Sequence, residues 1–162
     1  MIVLVCLFFF TAVLGYVPSA YSADLPVLGA WRLISYARTD AVTGEKSRPW
    51  GENPTGYLMY LPDGHMSAVL TSEGRSSVAY TDEKFHEKEA QLFSSMVAYS
   101  GTYTVQGDTV THHVEVAWQP SWVGSDQIRY AKLDGDLLTI RTPPQMFEGK
   151  NYVFDLIWKR AP

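Results

Sequence analysis

The chain has 162 residues, 46% of them hydrophobic and 14% aromatic, which is enough apolar material for one well-packed core. Thirteen Lys and Arg stand against seventeen Asp and Glu, for a net charge of −4 without long runs of one sign. The lack of a basic face excludes a nucleic-acid surface. The one cysteine, Cys6, lies in an apolar N-terminal run, so the rest of the chain has no thiol for a disulfide, a nucleophile or a thiolate metal site.

That run, IVLVCLFFFTAVLGYV over residues 2–17, is uncharged and is followed by the small residues of PSAYSADLP. An apolar stretch ahead of a small-residue region predicts a secretory signal peptide over residues 1–23, cleaved after Ser22 or Ala23. The expectation is a secreted or periplasmic protein that has no membrane contact once the signal is removed. No Lys or Arg precedes the run, so the alternative is an uncleaved signal that anchors the chain. At sixteen residues the run is shorter than the roughly 20 that span a bilayer. Residues 24–162 contain no linker, repeat or low-complexity stretch and read as one domain.

Within that domain, runs rich in β-branched and aromatic residues predict eight strands: Trp31–Arg38, Gly56–Leu61, His65–Thr71, Gly101–Val105, Thr109–Trp118, Gln127–Leu133, Leu137–Thr142 and Tyr152–Arg160. LPDGHM (61–66), VQGDTV (105–110) and LDGDLL (133–138) are hairpin signals between them. Such short connections dictate antiparallel order, because parallel strands need long crossovers. Between the third and fourth strands, residues 82–99 place Phe85, Leu92, Phe93, Met96 and Val97 on one stripe of an amphipathic helix, with Thr81 as its N-cap. Eight such strands shed their exposed edges by closing into an up-and-down barrel, whose interior is either filled or holds one small ligand. A β-sandwich competes, but its Greek keys need longer crossings than these.

The stretch THHVEVAWQPSWVG (111–124) concentrates the residue types that do chemistry. Strand alternation puts Val110, His112, Val114, Val116 and Trp118 on one apolar face, directed inward. Thr109, Thr111, His113, Glu115 and Ala117 fall on the other. His112 and His113 therefore cannot share a metal ion, and His113 with Glu115 supplies only two ligands, so no metal site and no cofactor is expected. An interior His112 is either a ligand anchor or acid/base group, or a core histidine bonded to a nearby hydroxyl such as Tyr57, Tyr60 or Tyr103. Gln127 and Arg129 share a face, and periodicity leaves its direction open. Were that face inward, Arg129 would need a carboxylate or an anionic ligand. Trp122, in the loop after this strand, either caps the barrel mouth or plugs the core, and the loop at 45–56 with Trp50 supplies an opposing rim.

LGAWRL (28–33) and LIWKR (156–160) resemble the ends of a lipocalin barrel, where Gly-x-Trp opens the first strand and a basic residue of the last strand covers the tryptophan. Gly29, Trp31 and Arg160 match that pattern. With GYLMYLPDGHMSAVL, AYSGTYTV, THHVE and SWVGSDQIRY, the chain from Leu28 to Arg160 is similar to the lipocalin-like domain family of bacterial and fungal proteins. The resemblance implies a calycin-type barrel around a small, mostly apolar molecule, and it favours Arg129 facing inward because QxR belongs to the pattern. The expected ligand-binding residues are His112, Arg129, Gln127, Trp122, Tyr60 and Tyr103. The alternative is a cofactor-independent isomerase or cyclase in the same pocket, with His112 moving a proton and Arg129 or Gln127 stabilising an enolate-like oxygen.

Overall fold

A computed structural model describes residues 26–162, in which ten antiparallel strands form one sheet. The predicted signal peptide, its cleavage site and Cys6 lie outside the described residues. Eight principal strands run up and down in chain order: β1 (Gly29–Asp40), β3 (Thr55–Tyr60), β4 (His65–Thr71), β5 (Met96–Gln106), β6 (Thr109–Ala117), β7 (Asp126–Asp134), β8 (Leu137–Arg141) and β10 (Lys150–Arg160). The short β2 (Lys46–Ser47) and β9 (Gln145–Phe147) flank β1 and β10. The predicted hairpins join β3 to β4, β5 to β6 and β7 to β8.

Pairing of β1 with β10, from Trp31 opposite Arg160 to Asp40 opposite Tyr152, closes the sheet into a barrel. The inner face follows from alternation: Leu58 and Tyr60 of β3, Met66, Ala68 and Leu70 of β4, and Leu138 and Ile140 of β8 are buried. Burying each large apolar side chain contributes about 1.5–3 kcal/mol before entropy is counted.

One end of the barrel is plugged. Trp31 is fully buried and its indole N–H donates to the Val27 carbonyl at 2.7 Å. The Arg160 guanidinium lies 4.1 Å from the ring centroid, and its Nη1 donates to Leu28 O at 2.8 Å. Gly29 has φ of +118°, and a Cβ there would sit 3.1 Å from Arg160 Nη1, so both backbone and space favour glycine.

Two local expectations are corrected. The helix α1 spans Phe85–Ser94 rather than 82–99, and Lys84, not Thr81, occupies its N-cap position. Met96 and Val97 belong to β5, where Met96 pairs with Thr71 and Val97 with Leu70. The β-branched run that follows favours a strand, and β4 offers it a partner, so pairing overrides the helical stripe. The second correction concerns β6, which ends at Ala117 and bulges at Glu115, between the pairs Gly101–Val114 and Ser100–Val116. A bulge shifts alternation by one residue. Val116 is therefore 61% exposed instead of inward. No helix among the described residues is long and apolar enough to cross a membrane.

Candidate functional site

Above the Trp31 plug, the barrel encloses a partly open cavity of about 620 Å³. Its walls are largely apolar: Leu58, Ala68, Leu70, Val97, Ile140, Phe154 and Leu156 come from five strands, and Trp158 adds an indole. Polar side chains interrupt this lining, among them Gln127, the buried Thr142 and, on adjacent strands, His112 of β6 and Arg129 of β7. Val110 pairs with Arg129 and His112 with Gln127, so His112 and Arg129 are diagonal neighbours on the inner face.

His112 is 1% exposed, and tyrosine hydroxyls engage both of its ring nitrogens. Tyr60 Oη lies 2.7 Å from Nε2 and Tyr99 Oη 2.8 Å from Nδ1. Burial, then the nearby Arg129 cation and His113, holds its pKa well below the usual 6.5, so the ring is neutral at physiological pH. Burial likewise pushes the Tyr60 hydroxyl well above the ordinary tyrosine range, and Tyr36 on the cavity wall is raised for the same reason. All three groups are uncharged at physiological pH, and His112 and Tyr60 are hydrogen-bonded to each other.

Arg129 faces inward and is 6% exposed. Its Nη1 donates to Ile128 O at 2.8 Å and its Nη2 to Gln127 Oε1 at 3.4 Å. Among the described residues no carboxylate lies within 4.0 Å of this guanidinium. The Gln127 amide also donates to Ser125 Oγ at 2.9 Å, and Ser125 donates to Trp122 O at 2.7 Å. Gln127 lines the cavity, yet both ends of its amide are spent on orienting Arg129 and the loop that carries Trp122.

The mouth is aromatic. Trp122, on a 3₁₀ turn over Pro120–Trp122, meets Tyr99 edge-on at 5.4 Å and Trp118 at 5.0 Å. Opposite, Trp50 stacks on Tyr36 at 4.1 Å and 10°, and Met146 and Phe147 of β9 complete the rim. Pro at the start of the turn presets its φ, which helps hold Trp122 over the opening. Trp122 thus stands at the mouth, and Trp118 lies beyond the end of β6 at the same rim.

The other predicted residues are distributed as follows. Tyr60 reaches the site only through His112, and Tyr103 packs behind Tyr60 at 4.8 Å with its hydroxyl on Leu61 O. Neither is on the cavity wall. Tyr57 is 52% exposed. His113 pairs not with Glu115 but with Asp126 at 2.7 Å. Among the described residues no cluster of three His, Cys, Asp or Glu side chains is placed to hold a metal. Sequence reasoning missed Tyr99, Tyr36 and Trp158. Tyr99 falls within the stretch read as helix, and only its β pairing with Ala68 turns it toward His112.

Fold and site together define a closed antiparallel barrel around a largely apolar cavity, with His112 and Arg129 buried on its wall. The chain belongs to the lipocalin-like domain family, which it matches over residues 28–161. It is also similar to the 4'-hydroxy-3'-methoxypropiophenone carrier protein ppsC of Aspergillus oryzae (strain ATCC 42149 / RIB 40). The two are 31% identical over 99 residues, covering 56% of this chain and 86% of that protein.

Proposed function

We propose that this protein is a secreted or periplasmic carrier that binds a small, mostly hydrophobic molecule inside the barrel. The observation that carries this reading is the cavity of about 620 Å³ with apolar walls and the polar anchors His112 and Arg129. Sites for small molecules have this form: about 300–1,000 Å³, chiefly apolar, with a few placed polar groups. The similarity to a carrier whose named cargo is a substituted aryl ketone supports the same class of role. Such a cargo combines an apolar ring, which suits the aromatic side chains Trp50 and Trp122 on the wall, with a carbonyl oxygen, which suits its polar groups. Export rests on the uncharged run at 2–17 and the small residues after it. N-terminal sequencing of protein recovered outside the cytoplasm would then begin at Ala23 or Asp24.

Titration with the neutral dye N-phenyl-1-naphthylamine tests the binding. Trp50, Trp118, Trp122 and Trp158 all line the cavity, so saturable binding quenches tryptophan emission and transfers its energy to the dye. A dye that never saturates would rule out an accessible pocket. The alternative, a cofactor-independent isomerase or cyclase, rests on the Tyr60–His112–Tyr99 chain that reaches the cavity. The product separates the two: a compound released unchanged fits the carrier, and a rearranged one fits the enzyme.

A further inference from the structure

The polar groups of the cavity are unbalanced in a way that specifies one end of the ligand. A guanidinium has five N–H donors and no acceptor. In Arg129, two of them are used, one on Ile128 O and one on Gln127 Oε1, which leaves three without a partner among the described residues. The positive charge has no carboxylate within 4.0 Å among the described residues, although the side chain is 6% exposed. A buried charge of this kind is costly unless paired, and attraction to an anion is strong where water is excluded. Gln127 cannot supply the anion, since its carbonyl is a neutral acceptor and its amide is held by Ser125.

The histidine beside it adds a donor. A neutral imidazole donates from one nitrogen and accepts at the other, so one of its two tyrosines gives a proton and the other receives one. Tyr60 is 1% exposed, is not on the cavity wall, and its hydroxyl has His112 as partner. Were Tyr60 the acceptor, its own O–H would be buried without an acceptor, which costs about 1–3 kcal/mol. Tyr60 therefore donates to Nε2, and Nδ1–H donates to Tyr99. The Tyr99 hydroxyl proton is left free, and Tyr99 is on the cavity wall. Trp158, also on that wall, has a buried indole N–H without a partner among the described residues. An indole N–H can only donate.

From the uncompensated Arg129 charge and the free Tyr99 hydroxyl proton we infer that the ligand carries a carboxylate, held by Arg129 with the Tyr99 hydroxyl as a second donor, while its apolar body fills the barrel. This rests on the cavity being a binding site and adds the charge of the molecule bound. Tyr60 and His112 are positioning residues, fixing the direction of the Tyr99 proton. Gln127 has the same role toward Arg129.

Calorimetric titration of the full-length protein with 2-naphthoate and with 2-naphthamide tests it, because the two differ in charge but hardly in shape. The expected result is at least about tenfold tighter binding of 2-naphthoate, a preference that Arg129→Met abolishes, as suits a charge-assisted pair. Replacing a buried charge by an apolar side chain of similar length is often neutral or stabilising, so this variant is expected to fold. Gln127→Glu provides an independent check: it places a carboxylate beside Arg129 and is expected to narrow the preference for 2-naphthoate over 2-naphthamide. Equal binding of the two compounds, or a preference that survives Arg129→Met, would overturn the carboxylate and leave the cavity standing. If neither compound nor N-phenyl-1-naphthylamine enters, the binding reading and this one fall together.

Discussion

His112 shows how burial turns a titratable residue into a fixed polar contact. Its folded pKa is depressed, first by burial and then by Arg129, against an ordinary value of 6.5. Between those two values the unfolded chain binds a proton that the folded protein refuses, so stability is full above about pH 6.5 and is lost as pH falls toward the folded pKa. The slope in that window approaches one proton, about 1.4 kcal/mol per pH unit. Asp40, Asp63, Asp82 and Glu73 also have depressed values, held down by backbone and side-chain hydrogen bonds, but their ordinary values of 3.8 to 4.5 put their contribution at lower pH. Denaturant melts between pH 7 and 5 are therefore expected to weaken in the wild type. A His112→Gln variant should remain nearly flat over the same range, and an equal slope in both would show that another group sets it.

At the scale of the element, the β5–β6 pair depends on one residue without a side chain. Gly101 sits at the bulge, where a Cβ would lie 1.9 Å from His113 O and 2.9 Å from Glu115 N. Both neighbours are backbone, so relief requires moving the strand that presents His112. Gly101→Ala is expected to cost more than about 4 kcal/mol or to prevent folding, in the range reserved for strain and core disruption. Chemical denaturation checks this, and a midpoint close to that of the wild type would mean the bulge adapts. The bulge also explains why the simple alternation of β6 holds through Val114 and then fails. Val110, His112 and Val114 are buried, whereas Val116, beyond the extra residue Glu115, faces solvent.

On the scale of the whole molecule, the barrel is closed by Trp31 and Arg160 at one end and framed by Trp50, Trp118 and Trp122 at the other. Stability resides in the closed sheet and the plug, and capacity in the space above them, so the two are separable. Ala68 of β4 is 2% exposed and points into that space. Ala68→Phe adds volume where the barrel has room, so its Tm is expected within a few degrees of the wild type, while saturable dye binding disappears. Retained binding with an unchanged dye affinity would place the occupied region elsewhere in the barrel.

Much of the barrel was legible in the residues themselves. Alternating apolar runs separated by three Gly-containing turns prescribe antiparallel hairpins, because a period of two leaves little choice of which face is buried. The same alternation turned His112 inward and separated it from His113. It could not orient Arg129, whose strand reads plausibly either way, nor end the helix at Ser94, since residues 92–97 satisfy both periods. Those points were decided by pairing: β4 captures Met96–Tyr99 as strand, and β6 aligns Arg129 beside His112 on the inner face. The sequence by itself determined a closed antiparallel barrel with a histidine inside. Only the tertiary structure joined Tyr60, His112 and Tyr99 across strands 13 and 52 residues apart and left Arg129 buried without a counter-charge, because such contacts depend on long-range register rather than local pattern.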